Sequence, residues 1–242
     1  MNRKIFAPIA ALLLLCATLS AQSMDAPRHA PTNASYFIDA KSIDLSLIIP
    51  PPPAQDSETT KAELAEMHRI EQTRTPAQVA AAQSDDKEMD IFIYRTVLGE
   101  KFNAANLPLT AALSGHVHDD GWAANALKGL YKRPRPYQFD KTLHPICGTT
   151  DRPNSYPSGH SIGGYLEAFV LAQIVPEKRV EILARADDYA HNREVCGVHY
   201  PSDLAGGRSV AYAIFGSMLA SPRFQTDLAS ARAETRKRLG LN

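Results

Sequence analysis

The chain has 242 residues, with 26 basic side chains against 26 acidic ones. That balance excludes a strong field favouring a nucleic-acid polymer or an anionic membrane surface. The length suits one domain with a substantial core.

Residues 1–21 read as a secretory signal. Arg3 and Lys4 form the charged start, Ile5 to Leu15 the apolar stretch, and Ala17, Ser20 and Ala21 the small-residue end. The apolar run is short of the ~20 residues a bilayer span needs, so a retained anchor is the weaker alternative. Leu15 before Cys16 is a poor lipidation site. Loss of the signal removes Arg3 and Lys4 and no acid, leaving 24 bases against 26 acids. It also removes Cys16, so Cys147 and Cys196 remain as an even pair in an exported chain. A disulfide between them is expected, with two buried thiols as the alternative.

Residues 22–56 read as an extended arm, with Pro50 to Pro53 as a polyproline spacer. From residue 57 to 242 the pattern is helical. Ser57 is a cap for a helix ending near Thr73, and Thr75-Pro76 starts another. In residues 84–99, Met89, Ile93 and Val97 form a stripe, which predicts a helix. Residues 107–132 predict a long helix broken at Gly115 or Gly121 and stopped by Pro134 and Pro136. Residues 137–157 are aperiodic, and so long a loop is usually functional. Ser158 caps a helix ended by Pro176. The next runs from Lys178 to Arg193, with Ile182, Ala186, Tyr189 and Arg193 on one stripe. Another runs from Pro201 to Ala220, and a polar one covers residues 228–239. Gly206 and Gly207 inside a helix each cost ~1 kcal/mol relative to alanine, which points to close helix contact. No strand series, internal repeat or mature apolar run of membrane length occurs. The fold class is all-α, a single-domain helical bundle.

Candidate chemistry sits at the helix ends. Ser158-Gly159-His160 opens a helix, where unpaired N–H groups and the helix dipole attract anions. A plain cap beside a surface histidine would look the same. Lys128 and Arg135 add a point charge and a bidentate fork for phosphate, although with Lys132 and Arg133 they could form a solvated basic turn. Arg193 points inward and needs an anionic partner. His199 and Asp203 are four apart, so a carboxylate can orient the imidazole, as a nucleophile requires. The plainer reading is a helix-cap pair. His116, His118, Asp119 and Asp120 suggest a metal cluster, but a spacing of two puts the histidines on different helix faces, so a solvated loop or helix end is the better reading.

At these residues the sequence resembles the type 2 phosphatidic acid phosphatase (PAP2) superfamily. The pattern K-x6-R-P, P-S-G-H and R-x5-H-x3-D is matched by Lys128 to Arg135-Pro136, Pro157 to His160, and Arg193 to His199 to Asp203. Ser155-Tyr156 and Cys196-Gly197-Val198 further resemble the bacterial class A non-specific acid phosphatases. Asn192 stands where the superfamily usually has serine. Asn154 replaces a glycine, and Ser161 a threonine, of the class A signature.

The resemblance implies a helical bundle of the PAP2/vanadium haloperoxidase type and a periplasmic acid phosphatase of broad specificity. It implies His199 as nucleophile, forming a phosphohistidine, with Asp203 orienting it and His160 as general acid and base. Lys128, Arg135, Arg193, Ser158 and the Gly159 N–H would hold the phosphoryl oxygens. No cofactor or metal is required. The partners expected are small phosphomonoesters, with inorganic phosphate or vanadate as site ligands, no membrane insertion, and a homo-oligomer as a family precedent. The rivals are a vanadium-dependent haloperoxidase, a lipid phosphatase and a non-catalytic phosphate-binding protein.

Overall fold

The computed structural model describes residues 35–241. The expected signal segment, Cys16 and the start of the arm lie outside the described residues. Ten α-helices are described, with no strand among the described residues, so the chain is an all-α bundle.

Four α-helix starts follow from a side-chain cap, at Ser57, Thr75, Ser158 and Ser221. Ser57 accepts the Thr60 N–H at 3.2 Å and opens α1, Glu58–Thr73. Thr75 and Gln78 form a reciprocal capping box at the start of α2, Pro76–Asp85. The helix expected over residues 84–99 does not form as one piece. Asp90 accepts the Phe92 N–H at 2.8 Å and starts a 3-10 turn, Ile91–Tyr94, before the single-turn α3, Arg95–Leu98. Ile91, Phe92, Ile93 and Tyr94 are all buried. One exposed face of an amphipathic helix cannot bury four consecutive side chains, and the Asp90 cap offers the backbone an alternative.

The long candidate helix breaks at Gly121, giving α4, Pro108–Gly121, a 3-10 turn, and α5, Asn125–Tyr131. Lys132 ends α5 in the left-handed region, with φ at 46°, and turns the chain so that Arg133 points inward. The expected loop contains one short helix, α6, Pro136–Phe139. Then follow α7, Gly159–Ile174, α8, Arg179–Val195, and α9, Pro201–Leu219. The last, α10, spans Pro222–Leu239 and starts earlier than its polar pattern suggested, because Ser221 and Pro222 provide a cap and a first-turn proline.

Helix α7 is central. It is buried on nearly every side and packs against α4, α8 and α9. Leu166, Val170, Leu171 and Ile174 are fully buried, each worth about 1.5–3 kcal/mol. The Gly206-Gly207 pair brings α9 against its N-terminus. A Cβ at Gly207 would lie 2.8 Å from the Ser158 carbonyl oxygen, and one at Gly206 would lie 2.6 Å from the Tyr156 ring. The close helix contact expected from these glycines is therefore present.

The described part of the arm is docked. The amides of Tyr36 and Phe37 donate to the Asp120 carboxylate at 2.6 and 3.0 Å, and the Tyr36 ring stacks on His116 with centroids 3.4 Å apart. The cluster lies at the end of α4, as one of the expected readings had it, but Asp119 and Asp120 are buried rather than solvated. It anchors the arm. The Cys147–Cys196 disulfide is formed, with Cα atoms 5.2 Å apart, and ties the long loop to the end of α8.

Candidate active site

His199 lies in the short link between α8 and α9, and Asp203 in the first turn of α9. Asp203 accepts from the Tyr200 N–H at 2.9 Å, which completes the start of the helix. Its Oδ2 is also 3.3 Å from His199 Nδ1. A proton on Nδ1 donated to this carboxylate leaves Nε2 with its lone pair directed at the cavity. Both groups are buried, with His199 only 2% exposed.

Asp203 has a second partner that the sequence reading passed over. Arg133 donates to Asp203 Oδ1 at 2.7 Å, to Ser202 Oγ at 2.7 Å and to Glu63 at 3.0 Å, and lies 4.0 Å over the Tyr200 ring. It is 4% exposed, so it is no part of a solvated basic turn. Ser155 donates to Asp203 Oδ2 as well. Asp203 is thus held by Arg133, Ser155 and the Tyr200 amide, and its lone pairs fix the imidazole beside it.

Cations gather around Nε2. Arg135 NH1 is 3.2 Å from it and also donates to the Val198 carbonyl at 3.1 Å, while its Nε donates to Asn154 Oδ1 at 3.0 Å. Lys128 Nζ donates to the carbonyls of Asn154 and Pro157 at 2.9 and 2.6 Å. Neither Lys128 nor Arg135 makes an ion pair among the described residues. Burial first, and Arg135 second, lower Lys128 to about 8. Burial lowers Arg135 too. Two half-buried cations with only neutral partners make a place where an anion is stabilised.

Arg193 is arranged differently. It points inward, as its stripe required, but its NH1 donates to Asp86 at 2.6 Å and it does not line the cavity. Its Nε is buried without a hydrogen-bond partner. Asn192, at the superfamily's usual serine, donates to Asp85 at 2.7 Å, and Asp85 also pairs with Arg185. The amide therefore braces α8 against α2. Asn154, the second departure, positions Arg135.

The N-terminus of α7 closes the site. Ser158 caps it, accepting the Ser161 N–H at 3.3 Å, and the Gly159 and His160 N–H groups have no helical acceptor. Lys128, Arg135, Gly159, His160 and His199 all line one cavity of about 700 Å³. Ser158, Asp203 and Arg193 lie behind its wall. Asp86, Arg133, Asn154 and Ser155 were not named as site residues from the sequence. Only the position of Ser155 and Asn154 beside the Pro157–His160 motif hinted at them.

Both histidines are disfavoured as cations. Burial, then Arg193, lowers His160 to about 3, with Asp86 opposing. Burial, then Arg135, Lys128 and Arg193, holds His199 well below the ordinary range. An unfolded histidine titrates near 6.5, so in acid the unfolded chain binds protons that the ligand-free native state refuses. These groups therefore make stability fall as pH drops below about 6.5, down towards about 3 for His160, by up to about 1.4 kcal/mol per pH unit each. Bound phosphate offsets the cations and lets the histidines share a proton with it, and at about pH 5 the free monoanion already carries that proton, so phosphate should raise Tm more at about pH 5 than at about pH 7.5. In His160→Asn that difference should shrink. Thermal melts with and without phosphate measure it, and an equal gain at both pH values would contradict the electrostatic account.

The PAP2 superfamily model matches residues 104–227. A non-specific acid phosphatase of Salmonella typhimurium is 30% identical over 213 residues, covering 85% of each chain. One from Providencia stuartii is 29% identical over 212 residues, covering 84% of this chain and 85% of its own. In fold alone, a bacterial vanadium-dependent iodoperoxidase superposes with a TM-score of 0.55 at 18% identity, covering 74% of this chain and 54% of that one.

Proposed function

The chain belongs to the PAP2 superfamily and is a phosphatase, and from that premise we propose that it hydrolyses small phosphomonoesters of broad type through a phosphohistidine on His199. The observation that carries the reading is the cavity wall where Lys128 and Arg135, cations without a carboxylate partner among the described residues, meet the buried His199–Asp203 pair.

In this reading the phosphoryl group sits between Lys128, Arg135 and the N–H groups opening α7. Ser158 and Arg193, just behind the wall, are the further donors that the family resemblance assigns, the serine through its hydroxyl and the arginine through its Nε–H. His199 Nε2 attacks phosphorus as the bond to the leaving oxygen breaks. His160 gives its proton to that oxygen, then takes one from the water that hydrolyses the phosphohistidine. Phosphate and neutral His199 are regenerated. Asp203 stabilises the positive charge that the imidazole acquires. The fixed cations supply most of the rate, because phosphoryl transfer rests on positioning and charge. His160, depressed in the empty site, becomes protonated as the substrate's charge cancels Arg193 and Arg135.

Inorganic phosphate, and vanadate in its place, would bind here as inhibitors. The N-terminal pattern and the disulfide support export to the periplasm. No helix of the described residues is long and apolar enough to cross a membrane.

Rapid quenching during turnover of a labelled ester tests the mechanism. An acid-labile, alkali-stable label on His199 is expected, with chelator having no effect on turnover. Turnover without any labelled histidine would refute the covalent step.

A further inference from the structure

Helix α7 carries a second polar feature along the face that bears His160. Gly163 and Glu167 follow at spacings of three and seven, share that face and line the same cavity. Glu167 is thus about 10 Å along the helix from His160. A Cβ at Gly163 would meet nothing within 4 Å, so open space runs past it between the two. Met89, Val117 and Trp122 line other parts of the cavity, with His118, which burial keeps neutral by lowering its pKa. At about 700 Å³ the cavity is much larger than a phosphate group needs.

Glu167 is 1% exposed. Its Oε1 accepts from Ser114 Oγ at 2.7 Å. Ser114 Oγ itself accepts the Ile91 N–H at 3.1 Å, so its single proton is committed to Glu167. Glu167 Oε2 is buried and has no hydrogen-bond partner, and the carboxyl makes no ion pair among the described residues. Burial, with Asp90 adding, pushes it well above the usual carboxylate range. A buried, unpaired carboxyl stays neutral. With Oε1 accepting, the proton belongs on Oε2, a buried and unused donor on a residue that lines the cavity.

We propose that Glu167 is a specificity-determining residue, whose Oε2–H donates to a hydrogen-bond acceptor at the far end of a flat, uncharged leaving group lying along α7. The leaving-group class is an aryl or heteroaryl alcohol with a carbonyl-like acceptor opposite its phosphate. One aromatic ring spans the channel beside Gly163, between the phosphate site and Glu167. Desolvation opposes a leaving group that carries an anion at that end. The inference rests on the phosphatase reading of the site.

The test compares kcat/KM for para-acetylphenyl phosphate and phenyl phosphate in the wild type, Glu167→Gln and Glu167→Met. Dividing each ratio by that of the wild type cancels the intrinsic reactivity of the two esters. The ratio should fall about tenfold in Glu167→Met, the worth of one net hydrogen bond. Glu167→Gln should keep most of it, because the amide can accept from Ser114 and donate to the substrate. Should Glu167→Met fail to fold, Gly163→Val, whose side chain enters the space the ring would cross, should lower kcat/KM for both aryl esters relative to a small alkyl phosphate, and an unchanged preference there would overturn the inference. A ratio unchanged in the folded variants overturns the inference while wild-type turnover of phenyl phosphate leaves the phosphatase reading standing. Absence of turnover of both esters by the wild type would overturn the two together.

Discussion

His199→Ala is expected to lower kcat for a phosphomonoester such as p-nitrophenyl phosphate by at least ~10⁴-fold, about 5 kcal/mol of transition-state stabilisation. In the proposed mechanism alanine removes the atom that bonds to phosphorus, and His160, assigned to the leaving oxygen in the same step, does not replace it. The fold should survive. Among the described residues the ring makes close polar contacts with Asp203, Ser155 and Arg135 alone, and it is a desolvated group held beside three cations. Its loss relieves that crowding while opening a small gap next to an existing cavity, so Tm should move by only a few degrees. Phosphate binding, read by calorimetry, should persist because Lys128 and Arg135 remain. A well-folded His199→Ala protein with wild-type turnover would dispose of the assigned nucleophile.

Arg133→Met should do what His199→Ala does not, and unfold the protein more readily. Arg133 is the cation between two buried carboxylates, 2.7 Å from Asp203 and 3.0 Å from Glu63. Methionine fills much of the volume but leaves both acids uncompensated, a loss of about 3–5 kcal/mol and a Tm lower by roughly 10 °C. Turnover should fall as well, because an Asp203 without Arg133 becomes easier to protonate and no longer fixes the imidazole. Arg133→Lys should be intermediate, since an ammonium cannot bridge Asp203 and Glu63 as a guanidinium fork does. Denaturant melts and kcat at several pH values separate the two effects. A loss below about 1 kcal/mol in Arg133→Met would mean that the pair contributes nothing net.

The sequence made the anion site legible where function and local structure coincide. Ser158 is both a helix cap and a proposed site residue, Pro201 is a first-turn proline two residues after His199, and Gly206-Gly207 announced the close packing of α9 on α7. Partners distant in sequence left no such mark. Arg133 and Lys132 are adjacent bases, and only the left-handed turn at Lys132 sends one of them into the core. Asp86 follows the end of α2, and nothing in its neighbourhood shows that it faces Arg193, over a hundred residues away. The stripe at Met89, Ile93 and Val97 misled, because a run of four buried residues obeys tertiary packing before helical periodicity. Glu167 is hidden for a similar reason. Inside an apolar helix it reads as one polar interruption, and its isolation becomes visible only when α4 brings Ser114 beside it.

The empty space beside Gly163 also bears on how such a protein can diverge. Alanine, serine or valine there would shorten the channel by steps, without moving a charge or breaking a helical hydrogen bond. The position lies one turn from His160, yet a Cβ there would meet nothing within 4 Å. Substrate preference is therefore open to gradual drift, one small side chain at a time, in a protein whose bond-breaking machinery is held fixed by buried ion pairs. Relatives that share the Lys128, His160 and His199 motifs should differ first in which alcohol they release, and only much later in what they do to the phosphate.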